Sequence, residues 1–266
     1  MCDNTPSAGR VFFVGAGPGA DDLITVRGAR RIAEADVVVW PAGAVAVEMV
    51  HAHARPDAEL VDCSRLSADH LMGLYRRAAA QRLALARLVA GDGMQWSGVQ
   101  QQYDACRRLG LQVEIVPGVS MLPAVLAAAG RELTEASVQL VRHGADARPD
   151  GHGTVAVTAP AARVEALAAH LRAGGRPDDT PVVVGHKPSR PDQLVLCTTL
   201  GELEHTVQQH RLWLPALFLV GRAPATGGIG ASGGRDGAGS GLAAPFRRAP
   251  LQHPYRRRRR SRQQVT

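Results

Sequence analysis

The chain of 266 residues holds a single lysine, Lys187, and that scarcity alone removes a large class of nucleotide-binding enzymes. A Walker phosphate loop closes on Gly-Lys-Ser/Thr, and no such triplet exists in the sequence. Cysteine is also sparse. Cys2, Cys63, Cys106 and Cys197 show no short metal-type spacing, so they read as free thiols in largely apolar surroundings and a zinc site is not expected. No uninterrupted apolar run approaches the roughly 20 residues of a membrane span. The opening MCDNTPSAGR lacks the apolar stretch of a signal peptide, so the expectation is a soluble cytoplasmic protein with no membrane partner. No Ser–His–Asp or Cys–His combination stands out, and His51 and His53, two apart on an expected helix, face different ways.

Acidic residues are nearly absent from one end only. From Arg222 onward there are ten arginines and one acid, Asp236, a net of +9. Residues 1–221 carry 21 basic and 23 acidic side chains, a net of −2, so the formal +7 of the whole chain belongs to its tail. A near-neutral body gives no reason to expect a specific nucleic-acid partner. The tail, rich in glycine and arginine, cannot bury enough apolar surface to offset its ordering entropy and is expected to be disordered.

With 45% hydrophobic residues the rest reads as globular. Short apolar runs alternate with amphipathic stretches. Strands are expected over 11–14, 37–40, 59–61, 85–90 and 113–116, with helices over 25–35, 45–53, 67–82 and 99–109 between them. Ser67 suits an N-cap, and Gly110 a helix stop. This β–α alternation implies a mostly parallel sheet covered by helices. After Pro117 the pattern changes: helices over 122–129 and 161–172 stand among strands at 137–142, 154–158, 181–185, 193–197 and 216–220, and 193–197 reads as an antiparallel return. The expected fold class is α/β, with one domain over 9–116, a second over 117–222, a cleft between them, and the tail over 223–266.

Three glycine loops leave the ends of first-half strands. GAGPGA, residues 15–20, has the wrong spacing for a dinucleotide fingerprint, and Trp40-Pro41 stands where a ribose-binding acid belongs. By itself it is either a ligand loop or a tight strand-to-helix turn. GDGMQWSG, residues 91–98, brings Asp92 to the carboxyl edge of the sheet, as a ligand-facing acid or as a turn and capping aspartate. VPGVS, residues 116–120, is the third. Three such loops from one sheet edge point to one ligand site.

The ordered blocks VGAGPGADDLITVRGARRIAEADVVVW, GDGMQWSG, VPGVSML, GRELT, GTVAV and PALFLVGR resemble the tetrapyrrole (corrin/porphyrin) methyltransferases over about residues 10–222. The first block, GRELT at 130–134 and the pair Trp96-Ser97 stand nearest the family's precorrin-4 C(11) branch. Other ring-carbon specificities, and a non-catalytic homologue that keeps the cleft, are the competing readings. The resemblance implies a bilobed α/β structure, a homodimer, a tetrapyrrole substrate, and S-adenosyl-L-methionine bound folded in the cleft, largely by backbone groups. It assigns Pro18, Gly91, Asp92, Gly93, Ser120 and Met121 to the cofactor, and Ala159 and Ala216 to backbone positions against the adenine, where small side chains are expected to admit a flat ring. Arg27, Arg30, Arg131 and Arg142 are the candidates for substrate carboxylates, and His143 for proton handling. Two departures stand out. Gly91-Asp92-Gly93 replaces the family's Gly-Asp-Pro, and QLVRHGA at 139–145 is poorer in hydroxyls than this branch leads one to expect.

Overall fold

The computed structural model describes residues 8–95, 98–133, 137–142 and 153–221. Two five-stranded sheets are built in succession. The first contains β1 (Arg10–Gly15), β2 (Val37–Trp40), β3 (Glu59–Asp62), β4 (Ala84–Val89) and β5 (Gln112–Val116), in the order β3-β2-β4-β1-β5. All of its pairings are parallel. A parallel sheet is covered on both faces, so its strands read as continuous apolar runs, as in Val11–Val14 and Val37–Trp40.

Helices α1 (Val26–Glu34) and α2 (Val47–His53) cover one face of this sheet. Ile32, Met49 and Val50 pack there on Phe12, Val14, Val38 and Leu88. Helices α3 (Ala68–Gln81) and α4 (Val99–Arg108) cover the other, with Tyr75, Ala78, Val99 and Cys106 on Val11, Phe13, Val39 and Leu85. Local signals set their ends. Thr25 and Ser67 accept the Gly28 and His70 amides at 3.0 and 3.2 Å as N-caps, each contributing about 1 kcal/mol.

Helix α5 (Met121–Ala129) leads into the second sheet: β6 (Val138–Arg142), β7 (Thr154–Pro160), β8 (Pro181–His186), β9 (Leu194–Thr199) and β10 (Pro215–Val220), ordered β6-β7-β10-β8-β9. β6 and β7 are parallel and the other neighbours antiparallel, including the expected return of β9 on β8. One face packs under α6 (Val164–Ala173) and α7 (Leu203–Gln209), through Leu167, Leu171, Leu203 and Val207. The opposite face carries Ala156, Val183, Leu217 and Leu219 and receives α5. Gly185 makes that seat possible, because a Cβ there would fall among the methyls of Val125.

Several expectations shift. The helix foreseen at 45–53 begins at Val47, and Val45 packs in the core ahead of it. The stretch foreseen as one helix over 161–172 opens with a 3₁₀ turn at Ala161–Arg163. Helix α7 was not foreseen. Cys106 is buried and Cys63 half-buried, whereas Cys197 is exposed because it lies on the edge strand β9. Cys2 and the tail beyond 222 lie outside the described residues.

Candidate functional site

Strands β4 and β1 are neighbours, yet the chain leaves β1 toward α1 on one face and leaves β4 toward α4 on the other. Such a topological switch point opens a crevice at the carboxyl ends of the strands. The two glycine loops part there and join through backbone hydrogen bonds. The Gly17 amide donates to the Gly91 carbonyl at 3.2 Å, and the Gly91 amide to the Gly17 carbonyl at 2.8 Å. Both residues have left-handed φ, +78° and +66°, which glycine adopts without a Cβ penalty.

The third loop closes on the first two. A Cβ on Gly15 would lie 2.5 Å from the Gly118 nitrogen, and one on Gly118 would overlap the Gly91 carbonyl oxygen. Ser120 caps α5 and donates its hydroxyl to Gln95 Oε1 at 2.7 Å, tying the third loop to the second. Asp92 Oδ1 accepts the Met94 amide at 2.9 Å, an Asx-type turn.

These loops form one wall of a cleft of about 430 Å³, within the size range of small-molecule sites. Pro18, Gly91, Asp92, Ser120 and Met121 line it on the loop side. Ala156, Thr158 and Leu217, on the face of the second sheet that α5 leaves open, form the floor. The loop between β8 and β9 supplies Lys187, Pro188 and Arg190. Lys187 Nζ lies 2.6 Å from Asp192 and 5.7 Å from the centre of the Trp213 ring. The hydrogen bond from Lys187 holds the Asp192 carboxyl below the ordinary carboxylate range.

The structure thus gathers five of the residues singled out from the sequence: Pro18, Gly91, Asp92, Ser120 and Met121. Gly93 follows directly but faces Val89 and Val99 in the core. Ala159 and Ala216 oppose each other in the β7–β10 ladder, and both methyls are buried in the core beneath α6. Their small size therefore serves core packing. Their neighbours Thr158, Pro160, Pro215 and Leu217 line the cleft by strand alternation. Arg27 and Arg30 are exposed on α1, and Arg131 follows the C-cap of α5, at the far end of that helix from Ser120; none of the three lines the cleft. Arg142 ends β6 opposite Thr158. His143, Trp96, Ser97 and Thr134 lie outside the described residues. Sequence reasoning missed Gln95, Lys187 and Arg190. The available signal for the last two was the chain's sole lysine in a proline-flanked turn, His-Lys-Pro-Ser-Arg-Pro.

Comparison with known proteins agrees with this architecture. The sequence profile of the Tetrapyrrole (Corrin/Porphyrin) Methylases matches residues 10–204. A precorrin-4 C(11)-methyltransferase of Rhodococcus erythropolis is 36% identical over 235 residues, spanning 82% of this chain and 93% of that protein. The crystal structure of a cobalamin biosynthetic enzyme, cobalt precorrin-4 methyltransferase, superposes with a TM-score of 0.70 at 28% identity, covering 80% of this chain and 94% of the other. A uroporphyrin-III C-methyl transferase from Thermus thermophilus, complexed with S-adenyl homocysteine, superposes with a TM-score of 0.65 at 29% identity, covering 80% and 92%. The extent of these matches makes the chain a member of the tetrapyrrole (corrin/porphyrin) methylases.

Proposed function

We propose that this protein transfers the methyl group of S-adenosylmethionine to ring carbon 11 of precorrin-4 or cobalt-precorrin-4 in cobalamin biosynthesis. The observation that carries the reading is the switch-point cleft, with backbone loops on one wall and a basic loop on another. When bound, S-adenosylmethionine would supply a sulfonium methyl to an enamine-like ring carbon, the S–CH3 bond breaking as the C–CH3 bond forms and S-adenosylhomocysteine leaving. The protein then needs no covalent nucleophile of its own; it must align two partners and exclude water.

The residues present suit that cofactor. Glycines at 15, 91 and 118 bring three backbones into contact and leave room at the loop surface. The first turn of α5 meets the cleft at Ser120 and Met121, and the positive end of a helix suits the carboxylate of a methionine moiety. Asp92, the one carboxylate among the described lining residues, matches the ribose hydroxyls or the positive end of the cofactor. Thr158, Pro160, Pro215 and Leu217 around Ala159 and Ala216 offer the apolar surface an adenine requires.

The reading extends to a homodimer, as the family resemblance implies, in the cytoplasm, and to two α/β domains dividing near residue 116, where the strand and helix pattern changes. Among the described residues no helix is long and apolar enough to cross a membrane. Calorimetric titration with S-adenosylmethionine, followed by turnover of precorrin-4 with labelled cofactor and NMR location of the new methyl, tests the proposal. Absence of binding at millimolar cofactor, or a methyl on another carbon, overturns it. Light scattering reads the oligomeric state directly.

A further inference from the structure

Lys187 and Arg190 are the basic side chains among the described residues lining the cleft, and both belong to the loop joining β8 to β9. That loop has an unusual backbone. Lys187 and Ser189 take left-handed φ of 48° and 65°, which residues with a Cβ adopt only where their surroundings enforce it. The enforcing contacts come from the first glycine loop. Ser189 Oγ accepts the Ala20 amide at 2.9 Å, and a Cβ on Gly19 would lie 2.6 Å from the Pro188 carbonyl oxygen and 2.8 Å from Arg190 Cγ. Within the loop the Ser189 amide donates to Gln193 Oε1 at 2.9 Å.

The two cations differ in what they already hold. Lys187 is paired with the exposed Asp192 carboxylate. Arg190 makes no ion pair and no side-chain hydrogen bond among the described residues, although its stem packs on Gly19 and its charge acts on Asp192 through space. Arg190 is half-buried as a residue; its guanidinium has five donors in a fork that fits a carboxylate, and beside an apolar cleft it is stabilised when an anion fills that fork.

We infer that Arg190 and Lys187 are the anchors for the acetate and propionate groups of the tetrapyrrole, Arg190 as a two-point clamp and Lys187 in exchange with Asp192. The inference rests on the methyltransferase reading for the identity of the anion. It moves the carboxylate-binding role away from Arg30 and Arg131, which lie off the cleft. Gly19 carries Pro188 and Arg190 on its back while Pro18 lines the cleft, so the substrate anchor is fixed directly to a cofactor loop.

The test is fluorescence titration with uroporphyrin III, an octacarboxylate, and with its uncharged octamethyl ester, alongside calorimetry with S-adenosylhomocysteine. Arg190→Gln keeps the stem against Gly19 and removes the charge. It is expected to weaken uroporphyrin binding about tenfold to a hundredfold, while the ester and S-adenosylhomocysteine bind as to wild type. Arg190→Lys should recover part of the loss, and Lys187→Met should show a smaller one. Uroporphyrin affinity unchanged in Arg190→Gln overturns the inference, as does an equal loss of S-adenosylhomocysteine affinity in both Arg190 variants. Turnover of precorrin-4 separates the two proposals. Arg190-dependent porphyrin binding without methylation at carbon 11 supports the anchor and refutes the activity, and methylation with Arg190-independent binding refutes the anchor alone.

Discussion

Gly15→Ala places one methyl where three loops meet. Gly15 ends β1 outside the left-handed region, so the substitution tests space and not backbone strain. The new Cβ would lie 2.5 Å from the Gly118 nitrogen, 2.6 Å from its Cα and 2.9 Å from the Gly91 carbonyl oxygen. Ordinary contact lies near 3.5–4 Å, so backbone atoms on both sides must retreat by roughly 1 Å. Overpacking of this kind costs about 1–3 kcal/mol, and at this chain size each kcal/mol lowers Tm by about 2–4 °C. A fall of roughly 2–12 °C is expected by calorimetry. Displacement also strains the Gly17–Gly91 bridge that shapes the cleft, so S-adenosylhomocysteine affinity should drop tenfold or more, of the order that a 1 Å misplacement brings. Gly93→Ala is the control. Its Cβ would stand 3.5 Å from Val89 Cβ and 3.8 Å from Val99, ordinary contact distances, and its φ is not left-handed. That variant should keep its affinity and melt no lower than wild type. A Gly15→Ala protein that melts within about a degree of wild type and binds normally would refute the close-approach argument, as would a Gly93→Ala protein that fares worse.

Asp92→Ala removes the turn to the Met94 amide and the carboxylate of the cleft, so cofactor affinity should fall about tenfold in calorimetric titration; unchanged affinity would detach Asp92 from the site. His186 is 4% exposed and its Nδ1 has no hydrogen-bond partner among the described residues, and burial, reinforced by Lys187, lowers its pKa. The unfolded chain therefore takes up that proton first, so the stability from neutral His186 is full above about pH 6.5 and declines as pH falls through the lower folded value. Wild-type Tm should drop on acidification more steeply than that of His186→Leu, and parallel pH profiles would count against the assignment. A chain ending at residue 222 should keep cofactor affinity within twofold, because the last strand closes at Val220; a larger loss would place part of the site in the tail.

What the sequence discloses follows physical locality. Strand ends at Gly15, Val89 and Val116 were legible because glycine and proline interrupt apolar runs there, and the three loops do converge. The N-cap at Ser67 and the helix stop at Gly110 were legible for the same reason: each acts within one turn. The β8–β9 loop was not. Its left-handed Lys187 and Ser189 run against their own propensities, and what holds them is Ala20 and Gly19, some 169 positions away in the case of the Ser189–Ala20 bond. The facing of the Ala159 and Ala216 side chains was not legible for another reason. Strand alternation divides residues between two faces, but small residues occupy both faces of β7, Ala156 on the cleft floor and Ala159 beneath α6, so size alone does not show which face lines the cleft. Helix α7 escaped notice because only Leu203 and Val207 of its seven residues are buried.

The substitution of Gly-Asp-Gly for Gly-Asp-Pro raised the question of a loop too loose to bind. A proline at residue 93 would stiffen the loop chiefly by restricting the unfolded chain, an effect of about 0.4–1 kcal/mol. The structure restrains the same segment by other means. The Gly17–Gly91 pair fixes its start through two hydrogen bonds, Asp92 Oδ1 holds the Met94 amide, the Gln95 amide returns to the Asp92 carbonyl at 3.1 Å, and Gln95 Oε1 accepts from Ser120 at 2.7 Å. Each such bond contributes on the order of 0.5–1.5 kcal/mol net, so any one of them matches the lost proline. The altered triplet is therefore weak support for a non-catalytic homologue. Loss of preorganisation is better sought at Gln95, whose bond to Ser120 ties the second loop to α5, than at Gly93.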